Sequence, residues 1–157
     1  MDPRRKGKHM QEIRNFVELQ DGIGTAGQPT REQFDLVARA GYRHVINIGM
    51  PDHPDSLAGE GDLVTSLGMT YVHIPVPFEA PRPEHVRLFC DMLSAVRGEP
   101  VFVHCLMNHR VTAFMYHYFT KVAGYGEEDA RSPMFDQWEP NEIWKDVLSW
   151  SREKIGI

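Results

Sequence analysis

The chain has 157 residues, is 41% hydrophobic and carries a formal net charge of −5. That length suits one domain with its own core. The negative charge argues against a general nucleic-acid binder, and no apolar run approaches the roughly 20 residues of a membrane-spanning helix.

Met1 to Met10 is basic and lacks apolar periodicity. Residues 1–10 read as an expression tag or linker, or equally as a disordered native tail, with residues 11–157 forming a single domain. The expected compartment is the cytoplasm, or the periplasm if a signal peptide has been removed. Phe16 to Leu19 and Ile23 to Ala26 are short strands joined by Asp21-Gly22, a hairpin signal. Thr30 and Gln33 form a capping-box pair that starts a helix burying Phe34, Val37 and Ala38 and stopping at Gly41. Val45 to Ile48 is a buried strand, and Gly49 to Gly61 reads as a loop. Leu63, Val64 and Leu67 mark a short helix, and Thr70 to Pro75 the next strand. Pro75, Pro77, Pro81 and Pro83 stiffen the connection that follows. A helix over residues 84–96 turns Val86, Phe89, Cys90 and Leu93 inward.

Pro100 to His104 is a strand, and a helix leaves from Arg110 and runs to Val122. Further helices are expected over Glu127 to Phe135 and Asn141 to Trp150, with Trp138, Trp144 and Trp150 packing the C-terminal helices onto the sheet. Strands alternating with helices imply an α/β fold, a mostly parallel central sheet flanked by helices on both faces. Ligands then bind in the crevice at the carboxyl ends of the strands.

The segment Val101 to Arg110 carries the chemistry. Cys105 ends an apolar strand and faces the start of a helix, where backbone N–H groups and the helix dipole favour a thiolate. Arg110 can hold an oxyanion bidentately. A thiolate, a cradle of amides and an Arg suffice for nucleophilic attack on phosphorus or sulfur. The chain has two cysteines. Two are too few for a disulfide framework, so Cys105 reads as a free thiol kept for chemistry. The alternative for it is an inert core cysteine. A cation at a helix start is disfavoured by the dipole, so an anion beside Arg110 is the better explanation.

Four further stretches accompany the Cys loop in a fixed order: Thr25-Ala26-Gly27-Gln28-Pro29-Thr30, Gly41 to Ile48, Tyr71 to Pro77, and Trp138-Glu139-Pro140-Asn141. Together with the loop they resemble the cysteine-dependent, protein-tyrosine-phosphatase-like domains of the bacterial beta-lactamase-hydrolase-like phosphatase group, over residues from about Ile13 to about Trp150. The resemblance implies a phosphatase-type fold and a tyrosine- or dual-specificity-type phosphatase working through a phosphocysteine. Cys105 would be the nucleophile. Leu106, Met107, Asn108, His109 and Arg110 would bind the phosphate or sulfate anion, and His104 would order the loop. The partner would be a phosphorylated protein or a small phosphate ester. No cofactor is needed, and the scattered histidines make no metal-ligand spacing.

The loop departs from the usual phosphatase pattern. Four residues rather than five separate Cys105 from Arg110, which shrinks or redirects the amide cradle. Rhodanese-type sulfurtransferases share that spacing, so a sulfurtransferase or persulfide carrier is one alternative. Asn108 stands where Gly is common, at a position favouring positive φ. Val111 stands where Ser or Thr often assists the leaving thiolate, and Thr112 is one position late. These departures also suit a non-catalytic anion-binding module.

In such phosphatases the general acid is usually an Asp on the loop after the preceding strand. Here that loop offers Glu79. Asp52 and Asp55 are second choices. Gln28 positions substrate or water, or else serves the turn. His73 reads as structural, and His109 as facing solvent at the mouth.

Overall fold

The hairpin forms around a turn that only certain residues accept. In the computed structural model, which describes residues 9–157, β1 (Val17–Glu18) pairs antiparallel with β2 (Ile23–Ala26). Asp21 and Gly22 between them both have positive φ, 64° and 72°. Two consecutive positive φ values match the right-handed twist of the flanking strands. The next elements are α1 (Arg31–Arg39), β3 (His44–Asn47), α2 (Glu60–Ser66), β4 (Thr70–His73), α3 (Pro83–Ala95), β5 (Val101–His104) and α4 (His109–Lys121). A 3-10 turn (Pro133–Asp136), α5 (Glu142–Ser149) and α6 (Arg152–Ile155) complete the chain. The capping box at Thr30 and Gln33 forms as expected.

The five strands lie in the order β1-β2-β5-β3-β4, and every pair except β1·β2 is parallel. This is the mostly parallel sheet that the pattern implies. Side chains alternate across it, as the strand period requires. Val45 and Phe102 join Phe34, Val37 and Val64 under α1 and α2. Ile46, Val101 and Val103 join Phe89, Leu93, Phe114 and Trp144 under α3, α4 and α5. The central strand, β5, is buried along its whole length, so its C-terminal end is fixed from both sides and both faces.

Three boundaries differ from the sequence expectation. Glu127 to Phe135 is not a helix. Ser132, extended at φ −68° and ψ 143°, precedes Pro133, and a residue before proline is pushed out of the helical region. Only the 3-10 turn remains. Glu60, read as loop, begins α2 after Gly59 at positive φ. Met10 is 2% exposed and packs with Ile13 and Phe34, so the packed body includes it. The tail expected over residues 1–8 lies outside the described residues. Among the described residues, no helix is long and apolar enough to cross a membrane.

Candidate active site

Cys105 directly follows β5 and is 1% exposed. The chain then turns through Leu106 and Met107 to Asn108, which has φ 70° and ψ 5° and directly precedes α4. The positive φ anticipated from the Asn-for-Gly exchange is therefore present. Its side chain is buried and braces the loop, donating to the Asn15 carbonyl (2.9 Å) and to Thr25 Oγ1 (3.2 Å). Asn15 closes the clasp by donating to the Met107 carbonyl at 2.9 Å. On the other flank, Gln28 N donates to the Leu106 carbonyl at 2.9 Å. Gly27 stands so close that a Cβ there would lie 2.4 Å from that same oxygen.

Among the described residues, the backbone amides of Leu106, Met107, His109 and Arg110 donate to no protein acceptor. Amides of a helix's first turn lack intrahelical partners, and here they surround the end of β5. That is the electrostatic setting in which an anion is stabilised. Val111 is fully buried, and the Thr112 hydroxyl donates to the Asn108 carbonyl at 2.6 Å. Thr112 thus closes the helix start.

Beneath the loop runs a polar chain through His104, the residue that the resemblance marks as ordering the loop, and Glu60, which sequence reasoning did not find. His104 is fully buried. Its Nδ1 lies 3.1 Å from the Cys105 carbonyl oxygen and its Nε2 lies 2.7 Å from Glu60 Oε2. Gln28 Nε2 donates to Glu60 Oε1 at 2.7 Å, so Gln28 serves this network. Burial pushes the Glu60 carboxyl up, but hydrogen bonds from His104 and Gln28 and the charge of His104 outweigh it and hold the group below the usual carboxylate range. Asn47 Nδ2 donates to the Tyr71 hydroxyl (3.0 Å), and its Oδ1 accepts from Gly49 N (2.8 Å). His73 Nε2 donates to the Gly49 carbonyl at 2.8 Å, the structural role expected of it.

Above the loop lies a cleft of about 340 Å³ lined by His53, Phe78, Glu79, Cys105, Met107 and Arg110, among others. It opens into a second hollow of about 450 Å³ that shares His53, Phe78, Glu79 and Arg110 and adds Asp52. The structure therefore brings Cys105, Arg110 and Glu79 to one cleft. Asp52 lines only the outer hollow, and Asp55 lines neither. Arg110 is 6% exposed; one Nη1 donates to the Val76 carbonyl at 2.7 Å, and its guanidinium lies 5.7 Å from the Phe78 ring centre. Phe78 stacks on Trp144.

His109 does not face solvent as expected. It is half-buried and stacks on Trp138 at 4.8 Å, with the rings 6° from parallel. Burial, and then the Arg110 charge, push its pKa down. The Trp138 motif thus reaches the mouth of the site through an aromatic stack, while Trp138, Trp144 and Trp150 pack against the sheet-facing core as anticipated. Asn15, Glu60 and the His109–Trp138 stack were the site residues missed. Each acts through a partner distant in sequence.

Comparison with known proteins assigns this architecture. Residues 11–131 match the family model described as a DSP-PTPase phosphatase fused to NAD+ kinase. A DUF442 protein of Shewanella putrefaciens CN-32 is 31% identical, with a TM-score of 0.81 over 90% of this chain and 93% of that one. TpbA of P. aeruginosa, solved in complex with phosphotyrosine, is 17% identical with a TM-score of 0.64 over 95% of this chain and 83% of that one, a likeness of fold. The beta-lactamase hydrolase-like protein of Xylella fastidiosa (strain Temecula1) is 26% identical over 99 residues, which is 60% of this chain and 22% of that protein. The chain therefore spans about a fifth of that relative. On a family match covering most of its length, the chain belongs to the DSP-PTPase phosphatases.

Proposed function

We propose that the protein hydrolyses phosphoric monoesters through a phosphocysteine on Cys105. The observation that carries this reading is the convergence of Cys105, Arg110 and Glu79 on one cleft, above a loop in which the amides of Leu106, Met107, His109 and Arg110 have no protein acceptor among the described residues. The Cys105 thiolate attacks phosphorus in line with the ester oxygen, and the S–P bond forms as the P–O bond breaks. The loop amides and the remaining Arg110 donors bind the equatorial oxygens, where charge is held in the transition state. Glu79 delivers its proton to the leaving oxygen, then takes one from the water that hydrolyses the phosphocysteine. The cleft walls, Phe78, Leu106, Met107 and His109, are apolar or aromatic, which favours an aryl ester over a highly charged small phosphate. Phosphotyrosine, the ligand seen in TpbA, is the first substrate class to test.

The four-residue gap is also the spacing of a persulfide loop. The family match weighs for phosphorus. The test is hydrolysis of an aryl phosphate by the parent and by Cys105→Ser between pH ~5 and ~8, a window bracketing the ordinary carboxylate and histidine ranges. Activity abolished in Cys105→Ser supports the reading. A parent without activity rejects it, and a mass gain of one sulfur on Cys105 after thiosulfate would replace it with sulfur transfer.

A further inference from the structure

We infer that Glu60 is a positioning residue for Cys105: its buried carboxylate holds the His104 ring with both nitrogens protonated, and the second N–H then fixes the Cys105 carbonyl. This inference rests on the reading of Cys105 as the nucleophile.

The argument is one of donors and acceptors. A carbonyl oxygen only accepts, so the 3.1 Å contact between His104 Nδ1 and the Cys105 oxygen requires a proton on Nδ1. A carboxylate likewise only accepts, so the 2.7 Å contact to Glu60 Oε2 requires a proton on Nε2. A ring that donates from both nitrogens is an imidazolium. It is fully buried, and Glu60 is its counter-charge at 4% exposure. Gln28 occupies the other Glu60 oxygen at 2.7 Å, leaving the carboxylate saturated with donors and fixed in place. Hydrogen bonding of this kind favours the ionised form, in line with the direction of the Glu60 shift.

The surroundings offer no competing charge among the described residues. From α1, the Phe34 ring meets His104 edge-on at 5.8 Å. From β5, Phe102 lies beside it at 6.2 Å. From β4 comes the Tyr71 hydroxyl, whose pKa burial pushes up, so it stays neutral. From the loop after β2 comes the neutral Gln28 amide. A buried ion pair is thus locked one residue before Cys105, with its imidazolium end turned to the Cys105 peptide and the Glu60 carboxylate beyond it. It orients the Cys105 peptide and favours a thiolate over a thiol above it. Without the Glu60 carboxylate the buried ring loses its counter-charge and turns neutral; its one N–H can then sit on either nitrogen, so the bond to the Cys105 carbonyl is no longer enforced.

Alkylation of Cys105 by iodoacetamide, followed by intact mass across pH 5 to 9, reads the thiolate without requiring any hydrolysis. Cys90, whose thiol burial pushes up to about 12, is a silent internal reference. Glu60→Gln should slow Cys105 alkylation at pH 6 about tenfold and move the whole rate profile to higher pH. Glu60→Asp, which keeps the charge, should return the profile toward the parent. Superimposable profiles for the parent and Glu60→Gln would overturn the inference. If Glu60→Gln fails to fold, nitrogen NMR of the 15N-histidine-labelled parent decides. Two protonated ring nitrogens on His104 at pH 7 uphold the inference, and one protonated nitrogen overturns it. A parent whose alkylation profile shifts with Glu60 yet hydrolyses no phosphate would keep the inference and reject the phosphatase reading.

Discussion

The indole Nε1 of Trp144 donates to the carbonyl oxygen of Phe78 at 2.8 Å. This bond joins α5 to the loop whose next residue is Glu79. The Trp144 ring, fully buried, also stacks on the Phe78 ring at 5.4 Å between centres. The loop bearing the proposed acid is therefore held by an aromatic contact and a directional hydrogen bond from the C-terminal part of the chain.

Trp144→Phe keeps most of the stacking area and removes the donor. A partly buried carbonyl left unpaired costs about 1 kcal/mol, so the variant should be less stable to urea by that order. We expect kcat on an aryl phosphate to fall about tenfold with little change in KM, since the acid is displaced while the anion cradle is not. Urea titration and steady-state kinetics on the same preparation check both.

Gly27→Ala tests the fit of the Cys loop. The added methyl would lie 2.4 Å from the Leu106 carbonyl oxygen, a backbone atom, so the loop itself must move. Displacing catalytic groups by about 1 Å can cost about 100-fold in rate, and overpacking costs about 1–3 kcal/mol. Activity should fall by that order while the protein still folds, as read by circular dichroism and an aryl phosphate assay.

At Asn108 two substitutions separate backbone from brace. Asn108→Gly accepts the positive φ and loses the hydrogen bonds to Asn15 and Thr25. Asn108→Ala loses the same bonds and must also hold φ near 70°, a further cost of about 1 kcal/mol. Thermal midpoints should rank parent above Gly above Ala. Equal midpoints for Gly and Ala would show that the loop relaxes out of its left-handed turn.

The strands, most helices and the Cys105–Arg110 loop were legible because their signals are local. Short apolar runs mark β3 and β5, the Thr30–Gln33 pair marks α1, and Asp21-Gly22 marks the hairpin. Glu60 was illegible because its partner His104 is 44 residues away. It also follows a run rich in Gly, Pro and Asp that masks the helix start. The helix expected over residues 127–135 does not form because Pro133 holds Ser132 out of the helical region. His109 was misjudged because nothing near it in sequence announces the ring of Trp138. Local chemistry pointed to Cys105 as the proposed nucleophile, and only the tertiary fold revealed the residues that brace its loop.

His117 makes acid stability a separate, measurable matter. Burial pushes its pKa down to about 4, a trend that its donation to the Val147 carbonyl at 2.7 Å only partly offsets. The unfolded chain protonates this ring near its ordinary value of about 6.5, while the folded protein resists until about pH 4. The unfolded state therefore binds more protons in that window, and stability is lost as pH falls from about 6.5 towards 4, by up to about 3 kcal/mol. His117→Gln should flatten that part of the stability profile, as measured by urea midpoints at pH 7, 6, 5 and 4.

Asn15 gives the site a boundary that secondary structure would not reveal. It precedes the first strand, yet its side chain and carbonyl both grip the Cys loop. A trimmed form of the protein beginning at β1 would keep all five strands and every residue of the Cys105 loop. It would nonetheless have lost one jaw of the clamp around Met107 and Asn108. Anyone cutting the chain down to its sheet would obtain the letters of the active site without the hand that holds them in order.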